Sequence, residues 1–149
     1  MPTVSVVIPT FNRESFISKC VDSVMCQTRQ PNEIIVVDDG SNDNTLNAIK
    51  NIGFSASENK KNPFRYIHQN NKAVSTARNV GIKASRYDYI AFLDSDDVWK
   101  KNKLEKQLIS LEKQEFCFRL SHTDEIWVRN GVRVNSRKKH AKTGGDIFM

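Results

Sequence analysis

Two groups of carboxylates each end an apolar run. Asp38-Asp39 follows Ile34-Ile35-Val36-Val37, and Asp94-Ser95-Asp96-Asp97 follows Tyr89-Ile90-Ala91-Phe92-Leu93. Carboxylate oxygens suit a hard divalent cation such as Mg²⁺ or Mn²⁺, which usually arrives with phosphates. Asp94, Asp96 and Asp97 fall within four residues and repel one another unless a cation, here a doubly charged metal ion, neutralises them. With a metal present, one or two of them can hold it while it grips a pyrophosphate. A capped helix start at Asp97 or Ser95 explains one polar residue of this group and leaves the other acids over. Asp39 can accept hydrogen bonds from a nucleobase imide or a ribose hydroxyl, or serve as an N-cap. Arg78 can pair with phosphate or with these acids, or stand as a surface arginine.

Apolar runs ending in acids, with helix-like segments between them, place those acids at the carboxyl edge of a parallel sheet. Open α/β sheets bind their ligands at that edge. Val4 to Ile8 reads as the first strand, stopped by Pro9. From Glu14 to Gln27, Phe16, Ile17, Cys20, Val21, Val24 and Met25 recur at spacings of three and four, which predicts an amphipathic helix. Glu14 then suits the positive end of that helix. Glu33 to Val37 is the second strand, and Asp39 to Asn42 with Asp43 makes a turn before a helix with Leu46, Ile49 and Ile52 inward. Gly53 to Pro63 is polar and reads as a loop.

Phe64 to His68 is a third strand, less buried than its neighbours. Ala73, Val74, Ala77, Val80 and Ile82 mark a helix, Tyr87 to Leu93 a fourth strand, and Leu104, Leu108, Ile109, Leu111 and Phe116 a fourth helix. Phe116 to Leu120 and Ile126 to Val128 read as further strands, and Asn130-Gly131 before Val132 signals a type I′ hairpin. This alternation predicts an α/β fold: a mostly parallel sheet flanked by helices, with a small antiparallel element at the C-terminal end.

A chain of 149 residues suffices for one domain with a core. Hydrophobic content of 38% and charged content of 27% are those of a globular protein. No run approaches the ~20 apolar residues of a membrane span, and Met1-Pro2-Thr3 leads into a strand without an export signal, so a cytoplasmic setting is expected. Cys20, Cys26 and Cys117 lack metal-type spacing and read as free thiols, the first two on different faces of one helix.

The net charge of +6 is concentrated in Arg129, Arg133, Arg137, Lys138, Lys139 and Lys142. No aromatic residues interleave with these charges as single-strand binders require, so nucleic acid is not an expected partner. A solvated segment or a peripheral contact with the inner face of a membrane remain as readings.

Val4-Ser5-Val6-Val7-Ile8-Pro9-Thr10-Phe11-Asn12-Arg13, Asp38-Asp39-Gly40-Ser41, Ala77-Arg78-Asn79-Val80-Gly81 and Asp94-Ser95-Asp96-Asp97 resemble, in the same order, the four landmarks of the family 2 glycosyltransferases of the GT-A (Rossmann-like) fold. The resemblance covers roughly residues 2 to 102, and the four motifs together are highly specific. It implies a nucleotide-sugar-binding domain over residues 1–128, with residues 129–149 leading into an acceptor-binding half. The implied nucleotide-binding residues are Pro9, Thr10, Phe11, Asn12, Asp39, Arg78, Asp94 and Ser95, with Asp96 and Asp94 on the metal. Asp39 would hold the base, Phe11 would stack where the family often has tyrosine, and Asp94 would meet the ribose side of the donor.

Two departures from the family pattern stand out. Lys72 and Ala73 occupy positions where the family usually has glycine. Its further acidic motif, which supplies the general base, has no counterpart here, since Asp124-Glu125 comes too early and reads as a rim element. A base downstream of Met149 is therefore expected, and the chain reads as a donor-binding fragment. The implied reaction moves a sugar from a nucleoside diphosphate, a UDP-sugar by expectation, to a hydroxyl of a glycan or lipid-linked acceptor with inversion, in cell-envelope polysaccharide synthesis. Two alternatives are a sugar nucleotidyltransferase, against which Thr10-Phe11-Asn12-Arg13 lacks the glycine-rich loop, and a non-catalytic nucleotide-binding module.

Overall fold

In the computed structural model, the described residues are 2–52, 64–113 and 120–134. Their elements run β1 (Val4–Thr10), α1 (Ile17–Met25), β2 (Glu33–Asp38), α2 (Thr45–Asn51), β3 (Phe64–His68), α3 (Val74–Ala84), β4 (Tyr89–Phe92), α4 (Lys103–Lys113), β5 (Trp127–Arg129) and β6 (Val132–Val134). The first four strands form one parallel sheet in the order β3-β2-β1-β4. β1 and β2 are buried along their whole length, as near-continuous apolar strands between helical layers must be. β3 is only partly buried. The alternating order expected from the sequence is the order found.

Two helical layers cover the sheet. On one face Val4, Val6, Ile8, Ile34 and Val36 pack with Ile17, Val21 and Val24 of α1, Ile49 of α2, and Leu104 and Leu108 of α4. On the other, Val7, Ile35 and Val37 meet Ala77, with Val80, Ala84 and Ile90 alongside. The residues of each strand alternate between these layers, as the two-residue period requires. Val74 and Ile82, expected to face inward, are 49% and 42% exposed. α3 meets the sheet through Ala77 and Gly81, because small residues let it lie close to β1. Leu46 is likewise half-buried, while Ala48, a residue not anticipated, packs against the core.

Pro9 does not stop β1. Backbone groups of successive strand residues point to opposite edges. Thr10 O accepts from Asp39 N on the β2 side at 2.8 Å, while Val7 O accepts from Leu93 N on the β4 side at 3.1 Å. Pro9 has the parity of Val7, so its missing N–H affects only the β4 side. Pairing with β2 therefore continues to Thr10↔Asp38, whereas pairing with β4 ends at Val7↔Phe92. A crevice opens where that ladder stops.

α1 starts at Ile17, later than expected, and no acid lies in its first turn. The Glu14 carboxylate accepts instead from Asn44 N at 2.9 Å, at the start of α2. Below the sheet, buried Glu33 accepts from Ser5 Oγ and Arg86 N, each at 2.8 Å, and pairs with Arg65 at 3.2 Å. β5 and β6 form the expected hairpin, with Asn130 at φ 49° and Gly131 at φ 76°, the positive pair that a type I′ turn demands. The loop read at 53–63, most of the strand read at 116–120, and the basic residues beyond 134 lie outside the described residues. Leu120 itself is not in a strand. Among the described residues no helix is long and apolar enough to cross a membrane.

Candidate functional site

Above the carboxyl ends of β1, β2 and β4 lies a cavity of about 420 Å³. Pro9, Thr10, Phe11, Asp39, Arg78, Asp94, Ser95 and Asp96 line it, together with Arg13, Asn71, Ala73, Val74 and Ala77. The residues named by sequence thus share one cleft, with one exception. Asn12 is not among its lining residues: it sits at φ 50°, its N–H donates to Ser41 Oγ, and its Oδ1 accepts from Asn42 N. Asn12 therefore fastens the loop after β1 to the turn after β2.

The two acids of the first pair do different work. Asp38 is 1% exposed; its Oδ1 accepts from Ser41 N and its Oδ2 from the Tyr66 hydroxyl at 2.7 Å. Burial, then the bond and charge of Asp38, push the Tyr66 hydroxyl well above its ordinary pKa. Asp39 is 4% exposed, and its Oδ1 accepts from Gln69 Nε2 at 2.6 Å and Lys72 N at 2.8 Å. Both bonds fall on one oxygen, which leaves Oδ2 able to accept from a ligand. Gly40, at φ 82°, packs against the backbone of the same loop, where an added Cβ would come within 3.0 Å of Asn71 N.

The second acidic group is a tight turn, with Asp97 N donating to Asp94 O at 2.9 Å. The chain beyond it is tied to α1. Trp99 N donates to Ser23 Oγ, while buried Gln27 donates to Ser23 O and Lys100 O and accepts from Leu104 N. Cys20, beneath the turn, has its thiol pushed up to about 12, by burial first and then by Asp97, Asp96 and Asp94. At neutral pH it stays protonated and inert. Cys20 is buried and Cys26 exposed, and both are free.

Arginines sit on the two acids proposed to share a metal: Arg78 Nη2 lies 2.6 Å from Asp94 Oδ1, and Arg13 Nη2 lies 3.5 Å from Asp96 Oδ2. This corrects the inference that the crowded acids need a metal to be tolerable, since two guanidinium groups already supply charge. Among the described residues, no three His, Cys, Asp or Glu side chains form a metal-holding group. The donor set still fits Mg²⁺ or Mn²⁺, which take one or two carboxylates and complete their shell with phosphate oxygens and water. Asp94 and Asp96 are each about half-exposed to the cavity, so both can offer an oxygen.

Two residues lining the cavity are in unusual states. Thr10 is 3% exposed, yet its Oγ1 has no hydrogen-bond partner among the described residues. Leaving a buried hydroxyl unpaired is costly, and a ligand in the cavity can pair it. Ala73 adopts φ 74° and ψ 156°, a region essentially reserved for glycine. Ala73→Gly is therefore expected to stabilise the protein by about 1 kcal/mol, the strain relieved exceeding the added chain entropy of glycine. A urea midpoint at or below that of the wild type would contradict this.

Arg13 and Asn71 were not singled out from the sequence. Arg13 follows Asn12 at the end of an apolar strand, a placement that could have flagged it. Asn71 lies in a polar loop that carries no such signal. Asp124 and Glu125 do not line the cavity, and Glu125 accepts from Trp127 Nε1 at 3.1 Å.

Residues 5–144 match the family model described as Glycosyl transferase family 2. An uncharacterized glycosyltransferase of Rickettsia felis is 42% identical over 97% of this chain, which spans 23% of that protein. The Escherichia coli protein named UDP-Glc:alpha-D-GlcNAc-diphosphoundecaprenol beta-1,3-glucosyltransferase WfgD is 40% identical over 77% of this chain, matching 43% of its own length. Among solved structures, Staphylococcus aureus TarS 1-349 in complex with UDP-GlcNAc superposes with a TM-score of 0.64 at 28% identity, covering 74% of this chain and 31% of that one. Glucosyl-3-phosphoglycerate synthase of Mycobacterium tuberculosis, solved with Mn²⁺, UDP and phosphoglyceric acid, shares the fold at a TM-score of 0.57 and 24% identity, covering 73% and 38%. The chain spans less than half the length of each of these proteins.

Proposed function

This chain belongs to glycosyl transferase family 2, and we propose that it holds the UDP-sugar donor for transfer of the sugar to a hydroxyl with inversion at the anomeric carbon. One observation carries this reading: Asp39 just after β2, and Asp94 and Asp96 in the turn after β4, converge on a single cavity at the carboxyl edge of the parallel sheet. The UDP-GlcNAc complex of TarS supports a uridine donor. The name of WfgD supports a lipid-linked glycan acceptor, and cell-envelope polysaccharide synthesis is part of the same proposal.

In this reading Asp39 accepts from the base imide through Oδ2, with the half-exposed Phe11 ring and Pro9 against the base. Thr10 gives its unpaired hydroxyl to the nucleotide. Asp94 and Ser95 meet the ribose side, and Arg78 turns from Asp94 toward the diphosphate, for which a guanidinium is a natural fork-shaped partner. Asp96 and Asp94 would hold the Mn²⁺ or Mg²⁺, whose charge offsets that developing on the departing diphosphate. Removal of the acceptor proton needs a carboxylate base, and none of the acids lining this cavity is assigned to it. The proposal assigns donor binding to residues 1–128 and treats 129–149 as the approach to an acceptor-binding half. A cytoplasmic setting, consistent with the free Cys20 and Cys26, is part of the same proposal.

Isothermal titration tests it. UDP is expected to bind only with Mn²⁺ or Mg²⁺ present, and Asp96→Ala to weaken that binding about 10- to 100-fold, the scale of a lost charged contact. Absence of UDP binding with either metal, or full affinity in Asp96→Ala, would overturn the assignment.

A further inference from the structure

Arg13 lines the cavity without a role assigned to it above, and its setting suggests one. Its backbone is fixed, with N–H donating to Thr45 Oγ1 at 2.8 Å, and Thr45 is fully buried. Its side chain is held loosely. Nη2 lies 3.5 Å from Asp96 Oδ2, and Nη1 lies 3.2 Å from Asn12 O and 3.5 Å from Phe11 O. The Arg13 and Asp96 side chains are 41% and 51% exposed, and half-exposed ion pairs of such length contribute little. Arg78 sits much closer to its own partner, at 2.6 Å from Asp94.

Resting on the donor-binding reading above, we propose that Arg13 and Asp96 form an exchangeable ion pair that couples metal binding to donor binding. A divalent ion on Asp96 competes with the guanidinium for that carboxylate, since two cations a few ångströms apart repel. The ion displaces Arg13. A diphosphate arriving with the metal brings the negative charge on which Arg13 can close, pivoting from its fixed backbone. Without diphosphate, Arg13 competes with the metal for Asp96; with it, Arg13 becomes a second clamp opposite Arg78. By linkage, each ligand then raises the affinity for the other. Arg13 is then a binding residue that discriminates diphosphate from monophosphate.

The test compares wild type, Arg13→Gln and Arg13→Lys by titration with Mn²⁺ alone, and then with UDP and UMP at saturating Mn²⁺. Arg13→Gln is expected to bind Mn²⁺ alone about fivefold more tightly, because a weak competing ion pair is gone. The same variant should bind UDP about tenfold more weakly, the lower end for a lost charge-assisted bond, with UMP changed by less than about twofold. Arg13→Lys, which keeps the charge and loses the fork, should fall between on both counts. Should Arg13→Gln fail to fold, Arg13→Lys decides alone on the same comparison. Unchanged Mn²⁺ affinity, or equal weakening of UDP and UMP, overturns the exchange while leaving the donor reading intact. Wild type that binds no UDP in the presence of Mn²⁺ overturns the donor reading, and this inference with it.

Discussion

Asp39→Asn is expected to weaken UDP binding by about 2–3 kcal/mol, roughly 30- to 150-fold, with little change in stability. Asparagine can keep its carbonyl oxygen at the Oδ1 position, where it still accepts from both Lys72 N and Gln69 Nε2. What changes is the second position. The oxygen that faces a ligand becomes an NH₂ group, and two donors then oppose each other at a buried site. Asp38, one residue earlier, should behave in the opposite way. Asp38→Ala removes the carboxylate that accepts from Ser41 N and from the Tyr66 hydroxyl, and a hydrogen bond to a charged group contributes about 1.5–3 kcal/mol to folding stability. Nucleotide titration of Asp39→Asn beside urea melts of both variants separates the two roles. Equal affinity in Asp39→Asn and wild type would remove Asp39 from the binding site.

Gly81→Ala should destabilise the fold by about 3 kcal/mol, near the upper end for overpacking a core. A Cβ at this position would lie 2.2 Å from Val7 Cγ1 and 3.1 Å from Cγ2. Val7 is fully buried in the middle of β1 and has little room to turn. α3 must move outward, and Arg78 and Ala77 would move away from the cavity with it. A double-mutant cycle gives the decisive measurement. Gly81→Ala on a Val7→Ala background should cost much less than on wild type, because the methyl group that clashes is gone. If the two costs simply add, close packing of α3 on β1 is not the reason for glycine here.

The local pattern made much of this legible. Apolar runs with β-branched residues located β1 and β2, and three- and four-residue spacing located α1 and α4. Asn130-Gly131 fixed the hairpin turn, because only residues tolerant of positive φ can occupy both positions. The same pattern said that the acids sit at strand ends. It could not say which way each one points, and this is why Asp38 and Asp39 looked alike in sequence.

Partners were equally hidden. Glu14 looked like a cap for α1 but accepts from Asn44, and Asn12 looked like a ligand contact but accepts from Asn42. Pro9 looked like the end of a strand. Its missing N–H matters on one edge only, and which edge depends on the strand order β3-β2-β1-β4.

By itself, then, the sequence determined an alternating α/β chain, the acids at its strand ends and the family they resemble, because propensity and periodicity act over a few neighbouring residues. The tertiary structure alone decided that Arg13 faces Asp96 and Arg78 faces Asp94, that Thr10 is left with an unpaired hydroxyl, and that Ala73 is held in a glycine conformation. Those facts depend on segments tens of residues apart meeting at one edge of the sheet. No local rule carries that distance.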